Sequence, residues 1–144
     1  MRVFNSGVLL TGPAGAGKSS LALGLMDRGH ALFADDLVRL ERCKQSLIAT
    51  RQAAPQILAL RDIGLITPSR VTAQNTLNMD LIIQLDPAFH PNRSVTQDAQ
   101  RRLHGAVLAF DFAGLTPPGY AVAARQDLLL SCLYIEQLVK RLGD

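Results

Sequence analysis

At 144 residues the chain fits one domain, and a core of that size can be adequate without metal or disulfide staples. Hydrophobic residues make up 48% and charged residues 19%, a balance that argues against intrinsic disorder. The formal charge of +3 is mild and scattered and aromatic residues stand at 5%, so the basic stripe and stacking side chains expected of a nucleic-acid binder are missing.

Met1 leads within a few residues into the apolar run Val8-Leu9-Leu10, which is short, β-rich and stopped by glycine, as a buried strand feeding a tight turn would be. No positively charged leader precedes it and no apolar run approaches the length of a membrane span, so a cytoplasmic protein without membrane contact is expected. From Ser19 to Arg28 the pattern turns helical, with Leu21, Leu25 and Met26 on one face and Gly29 placed to cap the end. Ala31 to Ala34 reads as a second apolar strand, ending in Asp35-Asp36. Leu37 to Leu40 then alternates with polar residues, and Ser46 to Thr50 is its expected hairpin partner. Gln52 to Pro55 is a connector, and Ile57 to Ile66 carries apolar residues around Arg61-Asp62 and Gly64. Leu81 to Leu85 is the clearest central strand, stopped by Asp86-Pro87.

Beyond it, Pro87 to Thr96 is polar and proline-bearing, an expected exposed loop. Val107 to Phe112 is a strand candidate and Thr116-Pro117-Pro118-Gly119 a turn. The end of the chain, from about Ala124 to Leu142, is an amphipathic helix with Leu128, Cys132, Ile135, Val139 and Leu142 at helical spacing. Cys43 and Cys132 lack metal-ligand spacing and are expected as reduced, partly buried thiols. The expected fold class is α/β, one domain over residues 1–144 with a strand-rich central sheet and a C-terminal helix.

The most informative stretch is Gly12-Pro13-Ala14-Gly15-Ala16-Gly17-Lys18-Ser19. It satisfies G-x-x-x-x-G-K-[ST], and it lies between an expected strand and an expected helix, as the motif requires. Glycines let the backbone curl so that successive N–H groups point at phosphate oxygens, and the helix turns its positive end to the same place. Lys18 would meet the β- and γ-phosphates, the Ser19 hydroxyl would ligate Mg²⁺, and Ser20 stands beside it at the start of the helix. The ligand implied is a nucleoside triphosphate, Mg·ATP above all. The loop does not fix the chemistry, because kinases, hydrolases and switches share it.

A carboxylate must stand near such a loop to hold the metal directly or through water. Asp35-Asp36 and Asp86 both end apolar runs. Asp86-Pro87 is an ordinary turn opener, whereas two adjacent carboxylates repel unless a cation or a proton relieves them, so the doublet is the stronger candidate.

Taken together, Gly7-Val8-Leu9-Leu10-Thr11 with the loop, then Leu21-Ala22-Leu23, and then Arg28-Gly29-His30-Ala31-Leu32-Phe33-Ala34-Asp35-Asp36 resemble the catalytic domain of the HPr kinase/phosphorylase family. The step of seventeen positions from Lys18 to Asp35 matches that family. Leu58-Ala59-Leu60-Arg61-Asp62-Ile63-Gly64-Leu65 is similar to a degraded copy of its signature LEIRGLGI, and Asp80 to Leu85 to its later central strand. The resemblance covers residues 7 to 86 well and implies a P-loop kinase-like fold. It implies an ATP- and Mg²⁺-dependent serine kinase acting on the phosphocarrier HPr, able to run in reverse with inorganic phosphate, and a homo-oligomer, a hexamer in that family. It assigns Asp35 as the general base, Asp36 as an aid at the metal, and Arg61 as a phosphate contact.

Three departures accompany it. The family's metal-ligating glutamate falls on Ala59, its upstream histidine would precede Met1, and its PGRN aligns loosely with Pro118-Gly119-Tyr120-Ala121. The competing reading is therefore an ATP-binding regulatory module of the same fold that has lost transfer, with a small-molecule kinase a more distant third. His30 is expected to serve the helix exit rather than catalysis, His90 and His104 to be surface residues, and Arg70, Arg93, Arg101 and Arg102 to be solvated.

Overall fold

The computed structural model describes residues 1–35, 38–52, 54–86, 106–108, 111–123 and 127–142. Eleven elements lie among them: β1 Arg2–Val3, β2 Ser6–Thr11, α1 Lys18–Asp27, β3 Arg39–Cys43, β4 Ser46–Thr50, β5 Leu58–Leu60, β6 Gly64–Ile66, β7 Thr76–Asp86, β8 Ala106–Leu108, β9 Gly119–Ala123 and α2 Leu128–Leu142.

Strand β7 organises the molecule. Its middle pairs in parallel with β2, from Leu81 opposite Val8 to Gln84 opposite Thr11. Its C-terminal half pairs in parallel with β9, from Ile82 opposite Gly119 to Asp86 opposite Ala123. Its first residues take β4 antiparallel, and β4 carries β3 in a hairpin from Arg39 opposite Thr50 to Cys43 opposite Ser46. With β1 and β8 at the margins this is one seven-stranded mixed sheet, while β5 and β6 form a separate two-stranded ribbon. The central strand expected at Leu81 to Leu85 is thus the C-terminal half of a longer one, and it is apolar on both faces because both are covered.

Side chains alternate across β2: Val8 and Leu10 join the cluster beneath the helices, and Leu9 joins a second one built on Phe33, Leu47, Ala49 and Met79. Helix α1 contributes Leu21, Ala22, Leu25 and Met26 to the first cluster, and α2 contributes Cys132, Ile135, Leu138 and Val139. The two helices touch closely at Gly24, where an added Cβ would lie 2.9 Å from Cys132 Sγ.

Gly29 ends α1 as its position in the sequence predicts. His30 N–H donates to the Leu25 carbonyl at 3.0 Å and Gly29 N–H to that of Met26 at 2.9 Å, the paired bonds of a Schellman cap, with Gly29 at φ +100°. Asp127 starts α2 by accepting from Leu130 N–H at 3.0 Å, three positions on. Across the helix pair, Arg28 donates to both carboxylate oxygens of Glu136 at 2.6 and 2.8 Å, and His30 Nε2 stands 2.9 Å from the same group. His30 Nδ1 accepts from Phe4 N–H at 3.2 Å, so the imidazole is a buried structural link, as its place at the helix exit suggests. The bidentate Arg28 contact, with help from His30, holds the Glu136 carboxyl at about 2, below its usual range.

Several expectations need correcting. Ala31 to Ala34 is no continuous strand: Ala31 makes a single antiparallel bridge to Arg2 and Leu32 a single parallel bridge to Val71. The segment is apolar because it is buried, and its two backbone partners come from different parts of the chain, so no ladder propagates. Thr116 to Gly119 is more than a turn, since it runs into strand β9, and the Pro118 carbonyl already accepts from Ile82 N–H at 2.9 Å. The closing helix begins at Leu128, which is largely exposed rather than part of the buried stripe, and Cys43 is exposed while Cys132 is buried. The expected loop at 87–96 lies outside the described residues, as do His90, Arg93, Arg101, Arg102 and His104.

Candidate nucleotide-binding site

The glycine-rich loop joins β2 to α1 beside the end of β7. Gly12 runs at φ +147°, and an added Cβ there would meet the Leu85 carbonyl oxygen of β7 at 2.6 Å, so glycine is needed for both conformation and space. Gly17 sits in the left-handed region just before α1, and no side chain caps that helix. The first turn of α1 is therefore led in by backbone alone, which suits an anion at its positive end.

Within the loop, Ala16 N–H donates to the Pro13 carbonyl at 3.1 Å, and Ala16 itself is buried in the core. Lys18 Nζ donates to the Gly12 carbonyl at 2.6 Å. Gly12, Pro13 and Ala16 thus shape the loop from behind. Ala14, Gly15, Gly17, Lys18, Ser19 and Ser20 line an open cavity of about 910 Å³. Its opposite wall is the β5–β6 ribbon, which presents Ala59, Arg61, Asp62 and Gly64. Burial alternates along β5 as in a half-buried strand: Leu58 and Leu60 are buried, Leu58 within the core cluster, and Ala59 between them is exposed and lines the cavity.

Lys18 and Ser19 also line a second, more enclosed cavity of about 290 Å³, and Asp35 is on its wall with Thr11, Phe33 and Ala34. The two residues at the head of α1 are thus shared between the loop's open cavity and the smaller one walled by the acid. Asp35 is half-buried, and its N–H donates to Gln56 Oε1 at 3.3 Å. Asp36 lies outside the described residues. Asp86 ends β7 next to Leu85, which packs against Gly12, and it lines neither of these two cavities, whereas Asp35 shares a cavity wall with Lys18 and Ser19.

The donor set suits a nucleotide-bound magnesium. A hydroxyl at Ser19 and single carboxylates at Asp35 and Asp62 leave most positions to phosphate oxygens and water, as Mg²⁺ prefers. Among the described residues no group of three or more acidic, histidine or cysteine side chains forms a self-contained metal cage. Sequence reasoning missed three participants: Asp62, on the signature's glycine position; Gln56, between the connector and the apolar segment from Ile57; and Arg51, whose guanidinium donates to the Phe33 carbonyl at 2.6 Å. Only Asp62, adjacent to Arg61, carried any local signal.

Among the described residues, no helix is long and apolar enough to cross a membrane.

The family model described as HPr Serine kinase C-terminal domain matches residues 1–109. The HPr kinase/phosphorylase of Bordetella pertussis strain Tohama I is 35% identical over 115 residues, covering 78% of this chain and 37% of that protein. That of Leptothrix cholodnii is 34% identical over 103 residues, covering 70% of this chain and 32% of its own length. The chain therefore matches only about a third of the length of such relatives. Among solved structures, the Hpr(Ser) kinase/phosphatase from Coxiella burnetii superposes with a TM-score of 0.77 at 28% identity, over 96% of this chain and 84% of that one.

Proposed function

This chain belongs to the family of the HPr serine kinase C-terminal domain, and we propose that it transfers the γ-phosphoryl group of ATP to a serine of an HPr-type phosphocarrier protein. One observation carries the reading: Lys18 and Ser19 wall both the loop cavity and the cavity of Asp35, so phosphate gripped by the loop would meet a carboxylate at its far end.

In the proposed reaction the loop amides of Ala14 to Ser19 and the Lys18 ammonium hold the polyphosphate, and Arg61 offsets charge from the ribbon side. Asp35 accepts the seryl proton as the serine oxygen bonds to the γ-phosphorus and the bond to the β–γ bridging oxygen breaks, releasing ADP. In the phosphorolytic direction an oxygen of inorganic phosphate bonds to the seryl phosphorus as the serine O–P bond breaks, protonated Asp35 gives its proton to the serine oxygen, and pyrophosphate leaves. Ser19, with Asp35, Asp36 or Asp62, would hold the Mg²⁺ that neutralises charge on the phosphates. A cytoplasmic homo-oligomer, a hexamer as the resemblance implies, belongs to the same proposal.

The second reading, an ATP-binding regulatory module without transfer, has one observation in its favour. Ala59 lines the same cavity as Ser19 and offers no carboxylate there. Radiolabelled ATP, Mg²⁺ and purified HPr separate the two. Label on HPr that disappears in Asp35→Asn supports the kinase, and tight ATP binding with no label supports the module.

A further inference from the structure

Asp35 is placed by a segment with little secondary structure of its own. After the bridges at Ala31 and Leu32 no ladder continues toward it. Beyond Leu32 the backbone is held by side chains instead: Gln56 Oε1 accepts from Asp35 N–H at 3.3 Å, and Arg51 makes the larger set of contacts around Phe33. Arg51 Nη1 donates to the Phe33 carbonyl at 2.6 Å and to Thr72 Oγ1 at 2.9 Å. Its Nη2 donates to the Thr72 carbonyl at 2.6 Å and its Nε to Asn75 Oδ1 at 3.2 Å. The guanidinium carbon also stands 5.1 Å from the centroid of the Phe33 ring, which is only 2% exposed.

The root of that side chain is equally fixed. Arg51 comes directly after β4, Thr50 pairs with Thr76 of β7, and Arg51 N–H donates to the Asn75 carbonyl at 3.0 Å. A rigid path therefore runs from the central strand through Arg51 to the Phe33 backbone, two residues before Asp35. Arg51 lines neither cavity. A planar fork with several donors can hold a carbonyl, a hydroxyl and a ring face at once, which a lysine cannot do.

We infer that Arg51 is a positioning residue for Asp35, holding the carboxylate in register with Lys18 and Ser19 without touching substrate. The inference rests on the reading of Asp35 as the proton acceptor.

The test compares Arg51→Met, the milder Arg51→Lys, Asp35→Asn, and the Arg51→Met/Asp35→Asn double variant. Arg51→Met is expected to lower kcat about ten- to hundredfold, the scale of a small misplacement of a reacting group, with KM and Kd for ATP within about threefold of the parent. Arg51→Lys should recover part of that rate. The double variant should be no slower than Asp35→Asn alone, because the arginine acts through the acid. Parental kcat in Arg51→Met beside a slow Asp35→Asn overturns the inference alone, as does a double variant slowed by the product of the two. Parental transfer by Asp35→Asn overturns the assignment of Asp35 and the inference with it. A readout independent of turnover is the ¹³C titration of the Asp35 side-chain carboxyl. Its midpoint or shift is expected to move in Arg51→Met and Arg51→Lys, and an unchanged titration in folded variants overturns the proposal whether or not the parent transfers phosphate.

Discussion

Lys18 Nζ stands 2.6 Å from the carbonyl oxygen of Gly12, so the phosphate loop is closed by a bond between its first and seventh residues. The ammonium is held inside the curve of the loop, on the wall of both cavities, before any phosphate charge is considered. Its chain origin is the first residue of α1, which the buried Leu21 and Leu25 seat against the core.

Lys18→Met is therefore expected to weaken ATP binding far more than it weakens the fold. A hydrogen bond to a charged group contributes about 1.5–3 kcal/mol, which corresponds to a loss of roughly ten- to hundredfold in affinity. Titration with a fluorescent ATP analogue measures the loss, with circular dichroism as the check on folding. Parental affinity in Lys18→Met would remove the loop from the binding site.

Two glycines with positive φ are predicted to respond differently to alanine. At Gly29 nothing lies within 4 Å of an added Cβ, so Gly29→Ala meets only the backbone strain of φ +100°, about 1–2 kcal/mol. At Gly12 the added Cβ would also stand 2.6 Å from the Leu85 carbonyl oxygen, which is backbone of the central strand and cannot swing away. Gly12→Ala should therefore lose ATP affinity together with stability, whereas Gly29→Ala loses stability and keeps its affinity. Denaturant midpoints paired with nucleotide titrations tell the two apart.

Glu136 gives the molecule an acid sensitivity of known sign. Its carboxyl titrates at about 2 in the folded chain against an ordinary 4.5, chiefly because Arg28 bonds to its ionised form. The stabilisation is complete above pH 4.5 and drains away as pH falls from there toward 2. Glu136→Leu should flatten the parent's loss of thermal midpoint across that window. At neutral pH the variant also leaves the buried His30 nitrogen without its partner, at a cost of about 1–3 kcal/mol. An acid unfolding profile as steep as the parent's would contradict the assignment.

The parts of the site legible in the sequence are those whose chemistry is local. The loop motif announces itself because glycine spacing, Lys18 and Ser19 are adjacent in the chain, and the hairpin because Ser46 to Thr50 alternates regularly, although its first strand is Arg39–Cys43 rather than Leu37 to Leu40. Asp35 could be picked from the resemblance and from its place after an apolar run. Its surroundings could not. Arg51 reaches Phe33 from eighteen positions away and Gln56 reaches Asp35 from twenty-one, through contacts that no periodicity encodes. The misreading of Ala31 to Ala34 has the same origin: burial makes a run apolar, but only a neighbouring strand makes it a strand.

Ala59 offers the sharpest test of what the cavity lacks. It sits on the outward face of β5, between the buried Leu58 and Leu60, and shares the cavity wall with Lys18, Ser19, Arg61 and Asp62. The space of about 910 Å³ leaves room for a longer side chain there. Ala59→Glu would place a carboxylate opposite the Ser19 hydroxyl, adding an oxygen ligand of the kind Mg²⁺ accepts alongside phosphate. The variant is expected to bind Mn²⁺ in the presence of ATP about tenfold more tightly by electron paramagnetic resonance, a change of one charged ligand. Transfer to HPr should rise with it if metal occupancy limits the rate. Asp62→Asn should act in the opposite direction on Mn²⁺ affinity, since Asp62 is the carboxylate the ribbon already presents. If neither substitution moves the affinity, the ribbon does not face the metal and its role is confined to Arg61.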